Sequence, residues 1–226
     1  APPPPPASFG LVQDRPVPQV PLLDASSRPT SLAAFRGKVV VLAPFLSLCQ
    51  DECPLITGAF LTMQRSVAAA GLANKVEFVE VTLDPGRDTP ARLAAYSAEF
   101  GAHWPLLTGS PSNLDTLWRF FGIYHQVVPE EPPPKLDWWT HTPLTYDVDH
   151  SDGFILLGPD GHERFITTSP PNLAGRLDPK LRSLLNDGGL HHLERQGQPN
   201  WTVSQALDAV GWLVGRKIPL VGRVGS

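Results

Sequence analysis

The chain holds two cysteines in 226 residues, and they stand four apart in "LAPFLSLCQDECPLITGAF", at Cys49 and Cys53. Sulfur this scarce and this concentrated can close a small disulfide, cycle as a redox pair, or hold a soft metal ion. The purely structural role is weak, because cross-linking a loop of about five residues adds only roughly 2 kcal/mol in the chain-entropy view. The other two roles need reactive sulfur. Pro54 suits the first turn of a helix, where its missing N–H would be unpaired anyway. Cys53 then lies at a helix amino terminus, where the positive end of the dipole favours thiolate over thiol. Both sulfurs are therefore candidate nucleophiles or ligands. The C-x3-C spacing can bring the two Cα atoms within disulfide range or splay the sulfurs around one ion. Two thiolates suit a soft ion, monovalent copper first. A closed zinc site would want four ligands, and there is no second cysteine pair.

A third donor is needed for such an ion. Seven histidines compete: His103, His125, His141, His150, His162, His191 and His192. The only methionine, Met63, lies on the apolar stripe of the helix after the cysteines and reads as core. His162 falls in a predicted hairpin turn, and His191-His192 in the tail, where adventitious metal binding is the expectation. His150, in "YDVDHSDGFILL", reads as a loop residue just before an apolar strand. On spacing alone it is either a ligand or an ordinary loop or core histidine.

These residues need a scaffold. "VVVLAPF" is apolar without polar alternation, the pattern of a central strand covered on both faces. Behind the cysteines, Leu55, Ile56, Ala59, Phe60, Met63 and Val67 recur at helical spacing, and Gly71 can end that helix. "VEFVEVTLD" is the next strand. Asp88-Thr89-Pro90 and Ser112 with Asp115 read as caps of two further helices, and "YHQVV" as a strand. "GFILLGPDGHERFITT" predicts a hairpin. Asp178-Pro179 opens a last core helix with Leu181, Leu184 and Leu185, stopped by Gly188-Gly189. Thr202 to Gly215 carries a capping box and an amphipathic helix, expected to pack outside the main core. The order predicts an α/β sandwich with a mixed sheet, in which active groups gather at carboxyl ends of strands. A cysteine loop between a central strand and a proline-started helix fits the thioredoxin-like architecture.

Composition sets the outer bounds. Hydrophobic residues make up 42% and charged residues 18%, as in a globular domain. A net charge of -4 argues against nucleic acid as the main partner. No run of 18 apolar residues exists to span a membrane. Prolines cluster in "APPPPPASFG", expected to be an extended, solvated arm such as follows a signal peptide or membrane anchor, and in "VVPEEPPPKLDWWTHTP". The predicted organisation is an arm at 1–19, a thioredoxin-like domain at 20–188 with an insertion at about 129–143, and a C-terminal extension at 189–226.

The segments "CQDECP", "VTLDPGRDTPARLAAYSAEFG", "LLTGSPSNLDTLWRFFGIY" and "YDVDHSDGFILLGPDG" occur in the order and spacing of the Sco/SenC copper chaperones. This resemblance covers roughly Val20 to Leu185. It implies a thioredoxin-like protein, tethered on the extracytoplasmic face of a bacterial membrane, that binds Cu(I) or Cu(II) and assists CuA assembly in cytochrome c oxidase. It further implies Cys49, Cys53 and His150 as metal ligands, and a CuA-bearing subunit or another copper or thiol protein as partner. The chain differs from the family pattern at Phe45-Leu46-Ser47-Leu48, at Asp51-Glu52, in the insertion and in the tail. A thiol:disulfide oxidoreductase using Cys49 to attack and Cys53 to resolve is the alternative. A peroxidatic Thr-x-x-Cys loop is absent. In "LDPGRD", Asp84 and Asp88 read as turn and cap residues, or as an acidic rim that meets a partner. Trp138-Trp139 reads as a docking patch or as packing of the insertion.

Overall fold

The computed structural model describes residues 7–194 and 200–222. Short strands β1 (Arg15–Pro16), β2 (Leu22–Leu23) and β3 (Pro29–Thr30) precede β4 (Val39–Phe45), which leads through the cysteine loop into α1 (Cys53–Ala69). Then come β5 (Val76–Thr82), α2 (Pro90–Phe100), β6 (Leu106–Leu107) and α3 (Pro111–Phe121). The strands β7 (His125–Pro129) and β8 (Tyr146–His150) form a separate antiparallel ribbon whose connection is the proline-rich insertion. β9 (Phe154–Leu157) and β10 (His162–Thr167) make the predicted hairpin, followed by β11 (Pro171–Asn172), α4 (Pro179–Arg182), α5 (Asp187–Glu194), β12 (Trp201–Thr202) and α6 (Val203–Val214).

The main sheet runs β1-β10-β9-β4-β5-β6, with β4, β5 and β6 parallel and β9 antiparallel to β4. All seven residues of β4 are buried, as its unbroken apolar run requires. Because side chains alternate across a strand, Val39, Val41, Ala43 and Phe45 join the core beneath α1, α2 and α6, while Val40 and Leu42 join the core beneath α3. This is the thioredoxin-like sandwich. It puts the end of β4, and hence the cysteines, at the centre of one sheet edge.

Several expectations need correction. The arm is not wholly solvated: residues 1–6 lie outside the described residues, but Phe9 is buried against Phe154, Phe165 and Trp201, and β1 pairs with β10. The hydrophobic pull of one aromatic outweighs the extended preference of its proline-rich neighbours. The caps of α2 and α3 are Thr89 and Ser110, one residue before each proline, because Pro90 and Pro111 occupy the first helical position. The helix after Asp178 stops at Arg182, and Gly188-Gly189 lies inside α5 rather than ending a helix. The amphipathic helix α6 is also not peripheral. Val203, Ala206, Leu207, Ala209 and Val210 are fully buried, and α6 packs on α1 and β4.

One core residue on β5 is charged by type. Glu80 is fully buried, accepting hydrogen bonds from Thr57 Oγ1 at 3.1 Å and Trp104 Nε1 at 2.9 Å. Burial pushes its carboxyl up to about 7, against the pull of those two donors. A folded-state value above the unfolded one means that Glu80 is best tolerated below about pH 4.5, and that stability is lost as pH rises through 7.

Two outcomes follow for stability. Leu207→Ala should lower the unfolding free energy by about 3 kcal/mol in urea titrations, the size of a buried leucine truncation. Glu80→Gln should match the wild type at about pH 4 and exceed it by up to about 3 kcal/mol at pH 8, the difference growing between about pH 4.5 and 7. A pH-independent difference between the two proteins would contradict the raised carboxyl.

Candidate metal centre

At the carboxyl end of β4 the chain turns through residues 46–52, with Cys49 N donating to Leu46 O at 3.2 Å. Cys53 is the first residue of α1, and its amide points at the Cys49 sulfur, 3.4 Å away. The free amino end of the helix therefore serves the other cysteine. Both thiols are buried and unbridged. The Cys53 side chain, hydrogen-bonded to Cys49, does most to hold the Cys49 thiol well below its ordinary range; burial opposes this, and His150 adds to it. Burial first, and then Cys49, push the Cys53 thiol well above its own. The expectation that the dipole makes Cys53 a thiolate is thus corrected: the loop folds Cys49 into the position that the helix end favours.

His150 arrives from 97 residues further along the chain, at the end of β8 rather than in a loop. Its Nε2 lies 3.8 Å from Cys49 Sγ and 3.6 Å from Cys53 Sγ. Nδ1 is 3.0 Å from Ser151 O, which fixes that nitrogen as the donor and turns Nε2 toward the sulfurs. Burial disfavours the charged ring, but Cys49, by hydrogen bond and charge, outweighs it and raises the imidazole to about 9. These shifts favour a thiolate at Cys49 paired with a protonated His150, and a neutral thiol at Cys53. With metal–sulfur bonds of about 2.3 Å and metal–nitrogen bonds of about 2.0 Å, a trigonal ion separates S and N by about 3.7 Å. The observed spacings match, so the three donors fit one soft cation.

The "LDPGRD" turn holds both halves of this centre. Asp88 is 1% exposed. Its carboxylate accepts from Ser47 N at 3.2 Å, from Ser47 Oγ, and from Thr82 Oγ1 at 2.6 Å. Burial pushes it up to about 6 despite those donors. From the other side, Trp138 Nε1 donates to Ser47 O at 2.8 Å while its ring packs on Tyr96 and Phe100. Ser47, two residues before Cys49, is thus pinned at every polar atom. Asp84 accepts from Arg87 and from Tyr146 Oη at 3.1 Å. Arg87 stacks on the Tyr146 ring at 3.7 Å and donates to Tyr146 O at 2.7 Å, tying down the strand that ends in His150. Neither aspartate is a helix cap, and Asp88 is too buried to face a partner. Trp138 belongs to packing, whereas Trp139 stays 42% exposed. The sequence offered no sign of the roles of Ser47, Arg87 and Tyr146, because the contacts of Ser47 with Asp88 and of Arg87 with Tyr146 join residues 41 and 59 apart in the chain.

The acidic rim lies elsewhere. A cleft of about 310 Å³ reaches Cys49 and His150 between Asp51, Glu52, Asp147, Asp149 and Asp152. Met63 is fully buried, as expected of a core residue, and His162 pairs with Asp14 at the surface. His103, His125, His141 and His191 stay outside the three-donor cluster.

Residues 15–181 match the SCO1/SenC family model. A Stutzerimonas stutzeri protein named for copper binding is 30% identical over 165 residues, 73% of this chain and 75% of that protein. The bovine mitochondrial SCO2 homologue is 31% identical over 140 residues, 62% of this chain but 49% of its own length, so the chain spans about half of that relative. Among solved structures, Bradyrhizobium japonicum ScoI with copper bound superposes with a TM-score of 0.56 at 23% identity, covering 80% of this chain and 98% of that one. The family match covers most of the chain and contains the cysteine loop, the "LDPGRD" turn and the histidine strand that the structure brings together, and the chain therefore belongs to the SCO1/SenC family.

Proposed function

We propose that this chain is a copper metallochaperone: Cys49, Cys53 and His150 hold one copper ion and pass it to the CuA-bearing subunit of cytochrome c oxidase or another copper or thiol protein. The observation that carries this is the approach of His150 Nε2 to both sulfurs at 3.6 and 3.8 Å from a separate ribbon. A dithiol exchanging electrons needs no such imidazole equidistant from its two sulfurs. Transfer proceeds by ligand exchange, an incoming sulfur or imidazole of the partner replacing one donor at a time. The cleft beside Cys49 and His150 supplies the approach. Thiol–disulfide exchange with a disulfide of a partner protein, which takes up the two electrons and leaves as a dithiol, would join the two sulfurs and discharge the ion, linking metal load to redox state.

The working site is the extracytoplasmic face of a bacterial membrane, reached through an anchor. No helix among the described residues is long and apolar enough to cross a membrane. A thiol:disulfide oxidoreductase is the second reading, favoured by the lowered Cys49 thiol, which suits an attacking sulfur.

The reduced protein should bind one Cu(I), none after Cys49→Ser together with Cys53→Ser, and hold it more weakly after His150→Ala; full copper retention in the double variant would contradict the assignment. Because His150 and Cys53 carry protons that coordination displaces, uptake at pH 7 should release about two protons per copper and tighten as pH rises toward 9. Calorimetry in buffers of different ionisation enthalpy reads this number directly. Asp88→Asn should keep the stoichiometry but weaken copper binding by about 10- to 100-fold, since an amide cannot accept from all three donors. If dithiol reductase activity survives His150→Ala unchanged while copper is not bound by the wild type, the oxidoreductase reading replaces this one.

A further inference from the structure

The helix α5 lies beyond the family match and crosses the cysteine loop. Asn186 N donates to Gln50 O at 2.8 Å. A Cβ at Gly189 would come within 2.6 Å of Gln50 O and 3.0 Å of Asp51 Cα, so only glycine lets the helix lie this close. This contact carries His192 onto the two acidic residues between the cysteines. His192 Nδ1 is 2.7 Å from Asp51 Oδ1 and 3.1 Å from Glu52 Oε1, and one donor atom from each of the three residues lies within 4.8 Å of the others.

The cluster has a feature that an ordinary surface ion pair lacks. Glu52 is only 14% exposed, and its Oε2 is buried without a hydrogen-bond partner. No lysine or arginine among the described residues pairs with Asp51 or Glu52. The comparable group of Asp14, Asp160 and His162 differs in this respect, because Arg164 bridges both of its carboxylates and supplies the positive charge. Asp51 and Glu52 have only imidazoles to answer them, His192 in contact and His150 through its charge, at the edge of an open cleft.

We propose that Asp51, Glu52 and His192 form a second metal site, adjoining the sulfur site and distinct from it, for a divalent cation of borderline softness such as zinc(II) or copper(II). Two carboxylates and one imidazole are a nitrogen–oxygen donor set, which suits such ions and not Cu(I). A tetrahedral ion with bonds of about 2.0 Å spaces its ligands by about 3.3 Å. The observed 2.7 and 3.1 Å then need to open by a few tenths of an ångström. The cation takes the place of the direct contacts between His192 and the two acids. The site stands on its own residues and does not need the sulfur centre to carry copper.

Reduced full chain, given one equivalent of Cu(I) under anaerobic conditions, is dialysed against zinc(II) and both metals are counted. One zinc per chain should bind with copper content unchanged. His192→Ala and Glu52→Gln should each weaken zinc binding by more than about tenfold, while His162→Ala leaves it intact. Cobalt(II) in place of zinc should give d–d bands without the intense thiolate-to-cobalt absorption. Zinc binding that is absent, that survives His192→Ala, or that expels copper would overturn the proposal, as would a thiolate band with cobalt. A chain that takes up no Cu(I) but binds zinc in a way that His192→Ala abolishes, without a thiolate band in the cobalt form, would keep this site and sink the copper reading instead.

Discussion

A thiolate buried at the centre of a sheet edge has to be compensated, and three sources of positive charge meet on Cys49 for that purpose. The amide of Cys53 at the free end of α1 points at the sulfur, the Cys53 thiol hydrogen-bonds to it, and the His150 ring carries the counter-charge. Each partner alone is a modest contribution in a low-dielectric setting; together they let an anion persist where water is scarce. A monovalent soft cation answers the same need by bonding the sulfur directly, and with two protons displaced it leaves one net negative charge for the surrounding donors to hold. Protons and a soft cation are thus two solutions of one electrostatic problem.

That solution demands precision from parts that are far apart in the chain. The cysteine loop hangs from β4, the histidine from a ribbon outside the main sheet, and neither is held by regular ladder bonds to the other. The turn after β5 does the holding. Asp88 pins Ser47 on one side, and the Asp84–Arg87 pair clamps Tyr146 on the other. The insertion adds a second hand through Trp138, itself anchored where Arg92 grips Asp137 at 2.6 and 2.9 Å. The donors can therefore sit near ligand spacing before any ion arrives, which lowers the reorganisation that binding requires.

The C-terminal segment changes the picture of the domain. It contributes α6 to the main core and α5 to the rim of the metal cleft, so the stability of the whole and the chemistry of the mouth both draw on residues beyond the family match. An acidic mouth beside a thiolate floor also sets a gradient of ligand hardness, oxygen and nitrogen outside and sulfur within.

Local physics made a good part of this protein legible in one dimension. An apolar run without alternation had to be a central strand, a proline after Cys53 had to open a helix, and the Thr202 capping box had to start α6. These depend on neighbours within a few residues, where propensity and sterics act directly. The cysteine pair was visible as chemistry for the same reason. His150 was visible only through resemblance, since nothing in its own surroundings separates a ligand from any other histidine. What tertiary structure alone decided was which sulfur becomes the anion, that Asp88 is an anchor rather than a cap, and that α6 is core. Each of those turns on burial and on partners tens of residues away, and desolvation, the effect that ranks them, does not exist until the chain has closed around the group.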